Sequence, residues 1–196
     1  MTDIISEDKN HYHGTSIENK GEILKNKKFN LSSGASEWAG SGIYFFIDED
    51  DNIAENNARK WAEYIKDIKS QYIAIIIVNL KVINAVVLDL NDRNFQPQFH
   101  KYREAMFNQS VLDAESKHKK IEDTITNKMK FDCYVINKIC DYYGFNVVIR
   151  DVHINFNKKI LSRRNYSYPS SSIPNCTIIC VRSNDIIESM KYFYCR

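Results

Sequence analysis

The chain has 196 residues, a net charge of +2 and a hydrophobic fraction of 43%. This length fits one domain with its own core, and so small a charge does not call for nucleic acid or an anionic membrane as partner. The first eight residues lack the basic and apolar parts of a signal peptide, and no run reaches the ~18 apolar residues of a membrane span. We expect a cytoplasmic protein, one domain over residues 1–196, without membrane contact.

The cysteine pattern predicts free thiols. The five cysteines are an odd number, and no two of them form a C-x-x-C pair. Cys133 and Cys140 share one face of a predicted helix, and Cys176 and Cys180 share one face of a predicted strand. This spacing matches neither a disulfide framework nor a zinc site. We therefore expect buried thiols in a reducing compartment and no metal centre.

The first third of the chain alternates strands and helices. Residues 10–14 are typical of a short strand entering a turn, and Ser16 then caps a helix over about 17–26. After a loop of small residues, an aromatic strand is predicted at 42–47. A second helix follows at 53–65, where apolar residues recur at spacings of three and four.

The middle of the chain changes from strands to helices. Two β-rich runs at 72–80 and 82–90 precede a polar, helix-compatible segment at 98–130. A helix is then predicted at 131–143, and Gly144 ends it. We interpret 98–143 as a helical insertion, either a lid, a docking surface or packing.

The last third is predicted to return to strands. Strands are indicated at 145–149 and 176–181, with a basic, Tyr- and Ser-rich loop at 158–174 between them and a short helix at 185–194. Since strands and helices do not alternate regularly, the order predicts an α+β fold.

Two short strings carry the most information about function. Residues 12–16 read Tyr-His-Gly-Thr-Ser, and residues 40–45, about 30 positions later, read Gly-Ser-Gly-Ile-Tyr-Phe. Residues 58–61, Ala-Arg-Lys-Trp, follow in the second predicted helix. In this order the strings resemble the ADP-ribosyltransferases of the poly(ADP-ribose) polymerase, diphtheria-toxin-like branch. The resemblance covers residues 10–65 and implies a split antiparallel β-sheet core flanked by helices.

The resemblance implies that NAD is the co-substrate and gives several residues a role. His13 would hydrogen-bond a ribose hydroxyl on the adenosine side, while the Gly14 backbone and the Thr15 hydroxyl would hold the nicotinamide amide. Tyr44 would stack on the nicotinamide ring and Trp61 would cover its other face. Because a cation on an aromatic face gains roughly 0.5–2 kcal/mol, these rings suit the charged nicotinamide.

Two further residues are weaker candidates under the same resemblance. Ser32 and Trp38 would lie at the rim of the adenosine pocket. Without the resemblance, Ser32 would be an ordinary loop residue, and Trp38, like Tyr44 and Trp61, would be assigned to the core.

The third motif of the family is altered in this chain. Many members carry a glutamate at the start of a late strand, where it binds the nicotinamide ribose. Here Cys176 occupies that position, and no Asp or Glu lies between Val152 and Asn184. Glu188 follows in the predicted terminal helix. The resemblance then implies transfer of single ADP-ribose units, with Cys176, Glu188 or no residue in the third role, although a packed thiol is the ordinary interpretation of Cys176.

The favoured hypothesis is a mono-ADP-ribosyltransferase, a glycosyltransferase that cleaves the nicotinamide glycosidic bond of NAD. The acceptor would be protein, RNA or DNA, and the interleaved Arg, Lys and Tyr of residues 158–168 are either an RNA-binding loop or a solvated one. The Lys-, Asn- and Ile-rich composition favours a bacterial or phage toxin or defence effector with an inhibitory antitoxin partner. The alternatives are an inactive NAD- or ADP-ribose-binding module and an NAD glycohydrolase.

Overall fold

The computed structural model describes residues 6, 9–81, 83, 85–117, 123–156 and 171–194. Within them the fold is α+β, built on a mostly antiparallel open sheet flanked by helices. The strands are β1 His11–Ser16, β2 Ile43–Ile47, β3 Ile73–Leu80, β4 Val87–Asp89, β5 Val147–Val152, β6 Cys176–Val181 and β7 Ile187–Tyr194. Their spatial order is β4-β5-β6-β2-β1-β3-β7, and only the β4–β5 pair among these strands is parallel.

The helices are α1 Ile17–Asn26, α2 Asp51–Lys60, α3 Gln96–Ser116, α4 Asp123–Thr126 and α5 Lys128–Tyr143. The Ser16 hydroxyl accepts a hydrogen bond from the Asn19 amide and so begins α1 as predicted. Gly144, with a φ of 75°, ends α5 in the left-handed conformation that glycine tolerates best. Among the residues described, no helix combines the length and the apolar character needed to cross a membrane.

The sheet buries an apolar cluster on each face, because successive side chains of a strand point to opposite sides. One cluster contains Phe46 of β2 together with residues of α2 and α5. The other contains Phe45 of β2, Ile23 of α1 and Phe29. By contrast, none of the side chains of α3 is fully buried.

Two predicted elements differ from the structure. Within the described part of 82–90, the strand covers only Val87–Asp89. The predicted helix at 185–194 is wrong, since Ile187–Tyr194 is strand β7, which pairs with β3. Apolar residues at 186, 190 and 193 have a helix-like spacing, but pairing supplies hydrogen bonds to an edge of β3 that would otherwise remain open.

The sheet nearly divides between β1 and β2. β1 pairs with β3 along its whole length, and β2 does the same with β6. Between β1 and β2 themselves the ladder contains the single pair Tyr12 and Phe46. We call this region, residues 12–14 and 44–46, the β1–β2 junction. It is compatible with the predicted split sheet and brings the two sequence strings together.

Candidate functional site

His13 is the residue that joins the two strands of the junction. Its Nδ1 lies 2.8 Å from the carbonyl oxygen of Tyr44. His13 directly follows Tyr12 of the Tyr12–Phe46 pair, and Tyr44 lies two residues before Phe46. Because a carbonyl can only accept, Nδ1 carries the proton and Nε2 of the neutral ring is an acceptor. The ring is held edge-on by Phe29 and Phe45, with centroids 5.2 and 5.8 Å away.

The surroundings of His13 keep its ring neutral. Burial lowers the pKa of His13, and the positive charge of Lys66 lowers it further. Both effects disfavour the imidazolium, so they outweigh the opposing effect of the bond to Tyr44. A neutral ring with a bonded Nδ1 can accept a hydrogen bond at Nε2 from a hydroxyl, such as that of a ribose.

Tyr44 anchors the loop that precedes β2. Its hydroxyl donates to the Gly40 carbonyl at 2.6 Å and accepts from the Ala39 amide at 2.9 Å. Burial raises the pKa of Tyr44 far above its usual range, so the phenol keeps its proton. The hydroxyl therefore positions the loop, and the half-buried ring is the part of Tyr44 that could face a ligand.

Trp61 lies in an aromatic cluster on the same side of the sheet as Tyr44. It opens the π-helical turn Trp61–Ile65 that continues α2, and π-turns are frequent at functional sites. Its ring contacts Trp38 at 5.6 Å and Phe46 at 6.3 Å between centroids. The Lys66 ammonium lies 5.7 Å from the Trp61 ring. Tyr44, Trp38 and Trp61 all pack against the cluster that α2 and α5 cover.

Gly14 brings α2 into direct contact with β1. A Cβ at this position would lie 1.9 Å from the carbonyl oxygen of Ala58 and 3.2 Å from the side chain of Ala62. Only glycine allows this close approach. The next residue, Thr15, is 6% exposed and on the opposite side of β1, together with His13.

Asn57 is a polar residue of this region that the motifs did not indicate. It is 6% exposed on α2, and its amide Nδ2 has no hydrogen-bond partner in the described part of the chain. Leaving a buried donor unpaired costs about 1–3 kcal/mol, so such a group is a candidate to bind a ligand. The signal in the sequence was a polar side chain next to Ala58, among the apolar positions of α2.

Ser32 holds the loop before β2 through backbone and side-chain bonds. Its amide and carbonyl pair with those of Gly42 at 2.8 and 2.9 Å, and its hydroxyl donates to the carboxylate of Glu37. These bonds position the chain between α1 and β2. Ser32 therefore has a structural role in the loop.

Cys176 is a protonated, packed thiol. It is 6% exposed, and its Sγ contacts the Val152 carbonyl oxygen at 3.6 Å. Burial raises its pKa to about 12, and the charges of Asp151 and Asp48 act in the same direction. A thiol in this state is a poor nucleophile.

The neighbour of Tyr44 on β6 is Cys180, not Cys176. Tyr44 and Cys180 are register partners, and Cys176 lies roughly 13 Å further along the strand. Glu188 is also distant from Tyr44, because it is exposed on β7 and strands β1 and β3 lie between β7 and β2. Its predicted position in a terminal helix is wrong, and it does not approach Tyr44.

The predicted site residues are thus divided between the two faces of the sheet. Tyr44, Trp61 and Cys176 lie on the face that α2 and α5 cover, whereas His13 packs against Phe29 and Phe45 of the other cluster. The two groups meet where His13 bonds to the Tyr44 carbonyl. The described residues contain no cluster of three or more His, Cys, Asp or Glu able to hold a metal ion.

Comparison with known proteins finds no match for this chain among family models, curated proteins or solved structures. The resemblance to ADP-ribosyltransferases therefore remains a prediction from the motifs.

Proposed function

We propose that the protein binds NAD at the β1–β2 junction and transfers a single ADP-ribose to a macromolecule, as a mono-ADP-ribosyltransferase. The observation that supports this best is the 2.8 Å bond between His13 Nδ1 and the Tyr44 carbonyl. It joins two motifs that are 31 residues apart in sequence, and it leaves Nε2 of a neutral imidazole as an acceptor for a ribose hydroxyl.

In the proposal, the residues around the junction meet the needs of this reaction. Breaking the nicotinamide glycosidic bond leaves positive charge on the ribose, as in glycoside hydrolysis. In the proposal, the rings of Tyr44 and Trp61 hold the nicotinamide, and the unpaired amide of Asn57 is available for a carbonyl oxygen. No side chain has to ionise, since nicotinamide is already a good leaving group.

The binding-only alternative also has an observation in its favour. Neither Cys176 nor Cys180 is ionised, because burial raises the pKa of each to about 12, and no carboxylate replaces the family's glutamate on β6. A protein with this site could hold NAD or ADP-ribose without cleaving it, or could pass ADP-ribose to water as a glycohydrolase.

The acceptor and the biological setting are part of the proposal. Protein, RNA and DNA remain candidate acceptors, and the loop at 158–168 that predicted RNA contact lies outside the described residues. The roles as cytoplasmic toxin or defence effector, with an antitoxin partner, rest on sequence composition alone.

Incubating the purified protein with radiolabelled NAD and cell protein, RNA or DNA tests the proposal. We expect label on one acceptor class and release of nicotinamide, both lost in His13→Ala and kept in the control His153→Ala. Nicotinamide release without label would favour the glycohydrolase. NAD binding without release would favour the binding module, and the absence of both binding and release would refute the proposal.

A further inference from the structure

A cavity of about 480 Å³ is lined by residues at the start of α3 and α5, by Arg150 of β5 and by Leu90, which directly follows β4. None of the residues predicted to bind NAD lines it. Its lining combines cations, one carboxylate and apolar rings, and consists of Leu90, Phe95, Gln96, Phe99, His100, Arg103, Lys128, Asp132 and Arg150. We call it the helical cavity. Its volume is in the range of cavities that enclose a small organic ligand.

The guanidinium of Arg103 is fixed in the wall of this cavity. Its Nε donates to Asp132 at 2.7 Å, and its Cζ lies 4.8 Å from the centre of the Phe131 ring. Asp132 is 9% exposed, so the ion pair is anchored in the protein. Because Nε is occupied, the two terminal nitrogens of Arg103 remain to donate to an anion.

Two more cations complete the wall. Arg150, on β5, donates from Nη1 to the Trp38 carbonyl at 2.5 Å, which fixes its side chain without cancelling its charge. Lys128 is the first residue of α5, where the helix dipole also favours an anion. Among the described residues, neither Arg150 nor Lys128 pairs with a carboxylate. Three cations against Asp132 give the helical cavity a positive field.

The rest of the lining is mainly apolar and aromatic. Phe95 lies directly before α3 and Phe99 lies on its first turn, and Leu90 is the third apolar residue of the lining. Aromatic side chains beside phosphate-binding cations are the combination that holds a flat base together with its phosphate. A simple inorganic anion would leave these rings and most of the volume without a function.

We propose that the helical cavity binds the phosphate and base of a nucleotide, with Arg103, Lys128 and Arg150 holding the phosphate. The nucleotide is either free or the phosphorylated end of a nucleic acid chain. This inference does not depend on NAD cleavage, since it concerns a different set of residues. Through Arg150 and the Trp38 carbonyl, the helical cavity borders the aromatic cluster of Trp38 and Trp61.

Calorimetric titration of the full chain with AMP, adenosine and inorganic phosphate tests the proposal. We expect AMP to bind more tightly than either fragment, and Lys128→Gln and Arg150→Gln each to weaken AMP at least about tenfold, as for the loss of a charged hydrogen bond. The matched control is Lys101→Gln, an exposed α3 residue outside the lining, which should bind like the wild type.

A short RNA with and without a 5′-phosphate distinguishes the two sources of the nucleotide. Preference for the phosphorylated RNA over AMP would assign the site to a chain end, and the reverse would assign it to a free nucleotide. Because Lys128 is exposed, Lys128→Gln should fold even if Arg150→Gln, at a half-buried position, does not.

Three results would overturn the proposal. The first is that no phosphate-bearing probe binds. The second is that Lys101→Gln weakens AMP binding as much as Lys128→Gln does. The third is that His13→Ala abolishes AMP binding while Lys128→Gln leaves it intact. The last would place the nucleotide at the β1–β2 junction. If the wild-type protein binds AMP in the helical cavity but does not cleave NAD, that result would count against the proposed function alone.

Discussion

The β1–β2 junction and the helical cavity differ in how their polar groups are partnered. At the junction, the Tyr44 hydroxyl makes two hydrogen bonds inside the protein and His13 is neutral and bonded. Around the helical cavity, Lys128 is exposed and Arg103 keeps two nitrogens for an outside anion. The residues that form recognisable motifs therefore also hold the fold together, and their substitution affects stability as well as binding.

The largest expected effect concerns the contact between α2 and β1. In Gly14→Ala the new Cβ meets the Ala58 carbonyl at 1.9 Å, so we expect a loss of about 3 kcal/mol or more in the free energy of unfolding. Urea unfolding measures it. The control is Gly21→Ala on α1, where a Cβ meets nothing within 4 Å and a gain of up to about 1 kcal/mol is expected. Equal stability of both variants would contradict close packing at the junction.

Acid should destabilise the protein through His11, which is fully buried on β1 next to the junction. Burial lowers its pKa from 6.5 to about 4. The unfolded chain therefore takes up the proton first, and the stability present above pH 6.5 is lost as the pH falls toward 4, by about 3 kcal/mol.

Comparing the pH dependence of unfolding in the wild type and His11→Gln checks this expectation. The variant should show a flatter profile between pH 6.5 and 4, and its remaining slope should include His13, whose pKa is also lowered. Parallel profiles for the two proteins would assign the acid sensitivity to other groups.

A smaller effect is expected from Tyr44→Phe. Removing the hydroxyl leaves the Gly40 carbonyl and the Ala39 amide without their partner, which costs about 1–3 kcal/mol. Thermal unfolding measures it, with Tyr142→Phe, at an 81% exposed position, as the control. If Tyr44→Phe abolishes NAD binding at unchanged stability, the hydroxyl contacts the ligand and is not mainly a loop anchor.

The smallest effect should come from Asp141, which pairs with Arg182 at 2.8 Å but has a side chain 64% exposed. Exposed ion pairs contribute up to about 1 kcal/mol, so Asp141→Asn should change the free energy of unfolding by less than that. Chemical denaturation at low and high salt is the measurement. A larger, salt-independent loss would mean that the Arg182 network, which also reaches Asn137 and the Ser41 carbonyl, depends on this surface charge.

Local signals predicted the elements well. Ser16 and the apolar spacing gave α1 its observed bounds, and the run from Cys176 to Val181 gave β6 its observed bounds. Strand β7 was missed because its pairing with β3 is a long-range property that no local pattern encodes.

The arrangement of the site was less accessible from the sequence. That His13 and Tyr44 lie on opposite faces follows from the register of β1 against β2, which the motifs do not specify. The residues of the helical cavity are scattered between positions 90 and 150, so only the folded chain brings them together. Asn57 gave a weak signal, a polar residue among apolar positions of α2.

The pairing of β2 with β6 and of β3 with β7 has a consequence for how the chain folds. Both partner strands lie in the last quarter of the sequence, more than 100 residues from β2 and β3. Such distant pairing raises the contact order and slows folding toward the millisecond-to-second range. Until β6 and β7 emerge from the ribosome, the backbone N–H and C=O groups that β2 and β3 later pair with them stay open to aggregation. Both halves of the sheet, on either side of the junction, are therefore completed late.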